Sequence, residues 1–231
     1  MNIELSPKII FKRFIYFILF LLCADILGII FKFYFGHDYV YGFVPLFNLD
    51  TEGNIPTLYS SFALLLSSAL LSLIALTHKK NNNSYLSWAG LALIFLFLSI
   101  DEIASIHEKF GSATRDYLHT SGLLFFAWVI PYGVFLLVFL IGYLRFLSNL
   151  PRNIMILFVV SGVIFVSGAV GFELVGGQHF ELYRKHTLLY CVYYTCEELL
   201  EMLGIVIFIY TLLTYIVSQF GVLRITISKK E

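Results

Sequence analysis

Six stretches of the chain are apolar for long enough to cross a bilayer, and short polar segments separate them. A span needs about 20 mostly apolar residues to cover roughly 30 Å of hydrocarbon. The stretches are Ile9–Phe31, Pro56–Thr77, Tyr85–Phe110, Gly122–Leu147, Arg152–Gly176 and Leu188–Val217. The pattern predicts an all-α, polytopic membrane helix bundle, one transmembrane domain over residues 1–231. Its borders are punctuated as helices require. Pro7 precedes the first stretch and Pro56 opens the second, where a missing N–H costs little. Gly176-Gly177 closes the fifth, and Asn81-Asn82-Asn83-Ser84 parts the second from the third. Ser148-Asn149-Leu150-Pro151 leaves room only for a tight hairpin between the fourth and fifth. Pro131, inside the fourth, is expected to kink it. The first stretch has a basic start at Lys8, Lys12 and Arg13. No small-x-small cleavage site follows it, so it reads as a retained span.

Composition agrees. Hydrophobic residues make up 59 % of the 231 and charged residues 13 %, against about 25 % charged in soluble domains. Mean hydropathy is +0.87. The 15 Lys+Arg balance 15 Asp+Glu, so the basic excess of a nucleic-acid binder is absent. Cys23, Cys191 and Cys196 all fall in apolar runs and make no disulfide framework.

Lys and Arg set the expected orientation. With the N-terminus in the cytoplasm, Lys8, Lys12, Arg13, Lys79, Lys80, Arg145, Arg152, Arg224, Lys229 and Lys230 are inner. Only Lys32, Lys109, Arg115, Arg184 and Lys185 are outer. Both termini are therefore expected inside, in a cell inner membrane. The acids are more lopsided, since only Glu4 and Glu231 are inner. Asp and Glu hardly influence insertion, so their asymmetry asks for a functional cause. The one long connection, Tyr34–Ile55, holds His37, Asp38, Asp50 and Glu52, and a loop of that length is expected to cap an outward-facing site.

The third stretch ends in Asp101-Glu102-Ile103-Ala104-Ser105-Ile106-His107-Glu108. On one continuous helix Asp101, Ser105 and Glu108 share a face, with Glu102 and His107 about 100° to either side. The sixth carries Glu197-Glu198-Leu199-Leu200-Glu201, three carboxylates on one arc, and the fifth contributes Glu173. Gly162, Val166 and Ala169 on the Glu173 face are small enough to allow close helix approach. Asp25 lies at a comparable depth and is expected either to join the cluster or to pair with Lys32. Carboxylates facing lipid are costly, so these groups are expected to face one another or water. Anions that share a pocket need protons or a cation to coexist.

His37, His107, His119, His179 and His186 gather on the same outer side, and only His78 is inner. Carboxylates with imidazoles suit Zn, Fe or Mn. The candidate metal ligands are Asp101, His107, Glu108, Glu173, Glu197 and Glu201, with Glu102 and Glu198 as the candidate acid–base groups. His119, His179, His186, Asp116 and Glu181 are expected at solvated loop ends. No Gly-x-Ser-x-Gly, His-Glu-x-x-His or Walker pattern occurs, and Met202 breaks the Glu-Glu-x-x-x-Arg of glutamate-type intramembrane proteases.

Three functions fit. The first is a membrane-embedded metal or cation site, catalytic or not, acting on a lipid-linked or other extracytoplasmic small substrate. The second is a proton- or cation-conducting transporter or channel, for which an oligomer is one route to a pore. The third is a non-catalytic interaction or sensor protein with a structural polar network. The inner halves lack acids, which weighs against a continuous conduction path. The outer histidines favour the metal site.

Overall fold

A computed structural model describes residues 6–183 and 187–221. Arg184, Lys185, His186 and the positively charged tail with Arg224, Lys229 and Lys230 lie outside the described residues, as do Glu4 and Glu231. Among the described residues every regular element is helical. In chain order they are α1 (Pro7–Tyr34), α2 (Phe43–Phe47), α3 (Ile55–Lys80), α4 (Leu86–Ala104), α5 (Ile106–Leu118), α6 (Val129–Ser148), α7 (Arg152–Val166), α8 (Glu173–Tyr183) and α9 (Leu188–Phe220). A π-helical turn, Ser167–Phe172, joins α7 to α8 without a break, so that Arg152–Tyr183 acts as one long rod. Counting that rod once, six helices are long and apolar enough to cross a membrane.

Contacts fix the direction of each helix. Ser61 and Ser68 of α3 bond to Ser99 and to the Ala92 carbonyl of α4, so this pair is antiparallel. Antiparallel α1 and α9 meet at Phe11–Tyr210 near one end and at Asp25–Thr195 near the other. Residues Ile205 and Ile209 of α9 pack on Ala63 and Leu64 of α3, and Met202 and Val206 pack on Ile18 and Leu21 of α1. The centre of the bundle is therefore α9. At the end opposite the acidic residues, a layer of Trp88, Phe158, Phe208, Leu212 and Tyr215 closes the core. His78 stacks in that layer and shares a 2.8 Å hydrogen bond between Nε2 and the Tyr215 hydroxyl.

Five expectations are corrected here. The third stretch is not one helix to Phe110. Ser105 adopts φ +51°, which ends α4 and turns the chain into α5. Pro131 does not kink its helix. It sits in the first turn of α6, where backbone N–H groups have no intrahelical acceptor to lose. The fifth stretch continues past Gly176 to Tyr183, and the fourth becomes regular only at Val129, after a short turn at Gly122–Leu124. Close approach of the fifth and sixth helices does not depend on Gly162, which faces open space. It occurs at Gly204, where a Cβ would lie 2.7 Å from Phe165 Cβ and 2.8 Å from its backbone nitrogen, and at Gly168, against the Glu197 carbonyl.

That last difference is testable. A methyl group at Gly204 must displace backbone, and overpacking of this kind costs about 1–3 kcal/mol. Gly204→Ala is expected to lower the thermal unfolding temperature in detergent. Gly162→Ala, where the methyl meets nothing, is expected to leave it unchanged or raise it slightly.

Candidate metal centre

The break at Ser105 has a chemical cause one turn earlier. Asp101 Oδ1 accepts the backbone N–H of His107 at 2.8 Å, so the carboxylate satisfies a donor at the start of α5. A negative group at a helix N-terminus is also favourable to the α5 dipole. The same oxygen lies 3.3 Å from His107 Nδ1, and Oδ2 accepts the Tyr132 hydroxyl at 2.9 Å. Asp101, 4 % exposed, is thus bonded through both oxygens.

The chain turn that brings His107 back to Asp101 points its other nitrogen at the first long loop. Glu52 Oε1 lies 3.4 Å from His107 Nε2. The loop holds Glu52 there by its own wiring. Asn54 donates from Nδ2 to the carbonyls of Asn48 and Thr51 at 2.6 Å, and its Oδ1 caps α3 through Thr57 N at 3.1 Å. Leu49, buried beneath, donates its N–H to Asp25 Oδ1 at 3.1 Å. Asp25 Oδ2 accepts from Thr195 at 3.0 Å. Asp25 therefore anchors the loop to α1 and α9, and its expected pairing with Lys32 is replaced by these two donors.

Glu52, His107 and Glu108 each offer a ligand atom, and the three atoms lie within 4.8 Å of one another. Glu108 is exposed; Glu52 and His107 are half-buried. Glu52 Oε2 is a buried acceptor with no hydrogen-bond partner. Burial raises the Glu52 carboxyl to about 7, with His107 opposing the rise. His107 meets the reverse balance. Burial works against its charge, yet the hydrogen bond and charge of Asp101, with Glu52 and Glu102, lift it to about 9. Without a metal the imidazolium is a clamp between two carboxyl groups.

The remaining sequence candidates gather beside these groups. Glu102 lies in the field of Glu52, His107 and Asp101. Glu201 lies in that of Glu102, His107, Glu173 and Asp101, and Glu198 beside Glu201 and Glu102. Glu173 and Glu197 face each other carboxyl to carboxyl, and Glu173 Oε1 also accepts the Trp128 indole N–H. The π turn sets the facing of Glu173, because its extra residue advances the helix just before that position. All five are half-buried. Asp101, Ser105 and Glu108 do not share a helix face as the unbroken span required. Asp101 is buried, Glu108 is exposed, and Ser105 is the hinge.

The outer histidines divide. His179 Nε2 bonds to Thr187 at 2.7 Å, Glu181 accepts from Gly122 N, and His119 ends α5 at φ +51°. His119 is an exposed helix end, as expected, whereas His179 and Glu181 lie inside α8, half-buried, and not at solvated loop ends. Glu52 was visible in the sequence only as one acid in a long loop. Trp128 and Tyr132 gave no clue at all in a sequence rich in aromatics.

Both clamp groups hold a proton more tightly in the folded chain than in the unfolded one. For His107 the stability this brings is complete below its ordinary value of 6.5 and is lost as pH rises through about 9. For Glu52 the sense is the same, with the loss between 4.5 and about 7. Metal-free protein is therefore expected to unfold at progressively lower temperature as pH is raised from about 5 to about 9. In His107→Asn the decline above about pH 7 should flatten. An equal decline in both proteins would assign it to other groups.

No curated protein and no solved structure matches the chain. A protein-family model matches residues 15–216, and the chain belongs to that family, a domain of unknown function (DUF8692).

Proposed function

We propose that the chain is a multi-pass membrane protein whose outward end carries a divalent-metal centre with Glu52, His107 and Glu108 as ligands. The carrying observation is the convergence of three ligand atoms within 4.8 Å around a histidine whose second nitrogen is held by a buried carboxylate. A carboxylate behind a metal-binding histidine fixes its tautomer and orientation. The orphan Oε2 of Glu52 supports the reading, since a buried acceptor without a donor is costly unless something cationic meets it. Nitrogen and oxygen donors in this mixture suit Zn, Fe or Mn.

Three protein ligands leave coordination positions for water and substrate, the arrangement of catalytic zinc sites. The reaction class this favours is hydrolysis. A divalent metal held by Glu52, His107 and Glu108 would supply a water acidic enough to act as nucleophile, and Glu102 would serve as the acid–base group that takes up its proton and passes it to the leaving group. Glu173, Glu197, Glu198 and Glu201 form the acidic wall beneath and share protons among themselves. The substrate is a lipid-linked or other extracytoplasmic molecule, which reaches the centre beside the loop that carries Glu52. The excess of Lys and Arg at the other end supports cytoplasmic termini.

Elemental analysis of detergent-purified protein that has never met a chelator tests the centre. About one Zn, Fe or Mn per chain is expected in wild type and far less in Glu52→Gln. Metal present at a hundred times its dissociation constant stabilises by about 2.7 kcal/mol. Chelator should therefore lower the unfolding temperature of wild type and leave that of Glu52→Gln unmoved. Metal-free, chelator-insensitive wild type would sink the reading and favour proton chemistry. For topology, a reporter active only outside the cytoplasm is expected to stay silent when fused after Lys230; strong activity would invert the assigned sides.

A further inference from the structure

Helix α6 contains no acid and no histidine, and Phe135, Leu137, Val138 and Ile141 on it are exposed. Its starting turn nonetheless reaches both halves of the acidic cluster. Tyr132 donates its hydroxyl to Asp101 Oδ2 at 2.9 Å, and Trp128 donates its indole N–H to Glu173 Oε1. The two rings also enclose the imidazole of His107. Trp128 lies edge-on at 5.1 Å between centroids and Tyr132 at 6.5 Å, with 5.2 Å between Trp128 and Tyr132 themselves.

Each contact has a defined effect. Asp101 is almost fully buried and bonds His107 through one oxygen only. If its second oxygen lacked a donor, the carboxyl group would turn to find one or take up a proton. Either change loosens Nδ1 of His107. The Tyr132 hydroxyl supplies that donor and so locks the carboxylate plane. The edge contacts of Trp128 stop the imidazole from turning about its own axis.

We propose that Tyr132 is a positioning residue of the metal centre, acting through Asp101 to keep the His107 Nδ1 proton in place and Nε2 turned to the metal. Trp128 completes the device by packing the ring and tying Glu173 to the same helix. The assignment rests on the metal reading above, but its central link, the 3.3 Å contact between His107 Nδ1 and Asp101 Oδ1, exists without metal.

The test compares Tyr132→Phe with Tyr143→Phe. Tyr143 lies on the same helix and also loses one hydroxyl bond, to the Ser87 carbonyl far from the centre. Co²⁺ is titrated into chelator-stripped protein in detergent and followed by its visible absorption. Tyr132→Phe is expected to bind Co²⁺ 10–100-fold more weakly and with an altered spectrum, as loss of an outer-shell partner does. Tyr143→Phe should keep the wild-type affinity and spectrum. In parallel, nitrogen-15 histidine spectra of metal-free protein should show a slowly exchanging Nδ1 proton on His107 in wild type and Tyr143→Phe. That proton should exchange rapidly in Tyr132→Phe.

Wild-type Co²⁺ affinity, spectrum and Nδ1 exchange in Tyr132→Phe would overturn the proposal. A wild type that binds no Co²⁺ but loses its slow Nδ1 proton on the Tyr132→Phe change would end the metal reading and uphold the positioning role. If Tyr132→Phe does not fold, Asp101→Asn takes its place with the same expected losses, and unchanged binding and exchange there would overturn the proposal equally.

Discussion

One imidazole among many carboxyl groups is the constraint on which this end of the bundle depends. Among the described residues, the ion pairs both run through His107, to Asp101 and to Glu52. A buried charge pair is tolerable only when its geometry is good and its spare hydrogen-bonding positions are met. Asp101 meets that condition with three donors from two directions. Glu52 does not, because Oε2 is left without a partner. The two sides of one histidine therefore differ: Asp101 holds the ring with both of its oxygens bonded, and Glu52 keeps an unmet acceptor.

Departures from regular helix deliver these groups. The left-handed turn at Ser105 sends the chain back over Asp101, and the π turn at Ser167–Phe172 re-aims Glu173. The glycines at 168 and 204 bring α9 close enough to put its carboxyl groups beside those of its neighbours. Each departure breaks a local rule of helix continuity at a place where a polar group takes over. Elsewhere the packing is mostly apolar, and the polar bonds that cross it, Ser61–Ser99, Ser68–Ala92 and His78–Tyr215, join neighbouring helices.

The number and approximate extent of the long helices were legible because hydrophobic length alone determines them. The clustering of Asp101, Glu102, Glu173, Glu197, Glu198 and Glu201 was legible for a related reason, since stranding any one of them among apolar atoms is expensive. The centre itself was not. An unbroken period of 3.6 residues places Ser105 and Glu108 over Asp101, and only a bend driven by a side-chain-to-backbone bond changes that. Glu52 is held by bonds of Asn48, Thr51 and Asn54 within the loop, and the loop is tied down by Asp25, 24 residues before its partner Leu49. Neither kind of bond leaves a periodic trace. Asp25 shows the same limit: its burial was foreseeable, but not its two donors.

The placement of Tyr132 in the first turn of α6, with Trp128 just before it, has a mechanical consequence. Of the six long helices this one is the least enclosed by protein, so in a bilayer lipid forms most of its surroundings. Its 20 residues rise about 30 Å, close to the thickness of an average hydrocarbon core. A helix that just matches its membrane tilts when that membrane thins and the helix outspans it. The donors to Asp101 and Glu173 ride on the end of this lever. In a bilayer thinner than α6 is long, such a tilt would act directly on the contacts that hold the imidazole of His107.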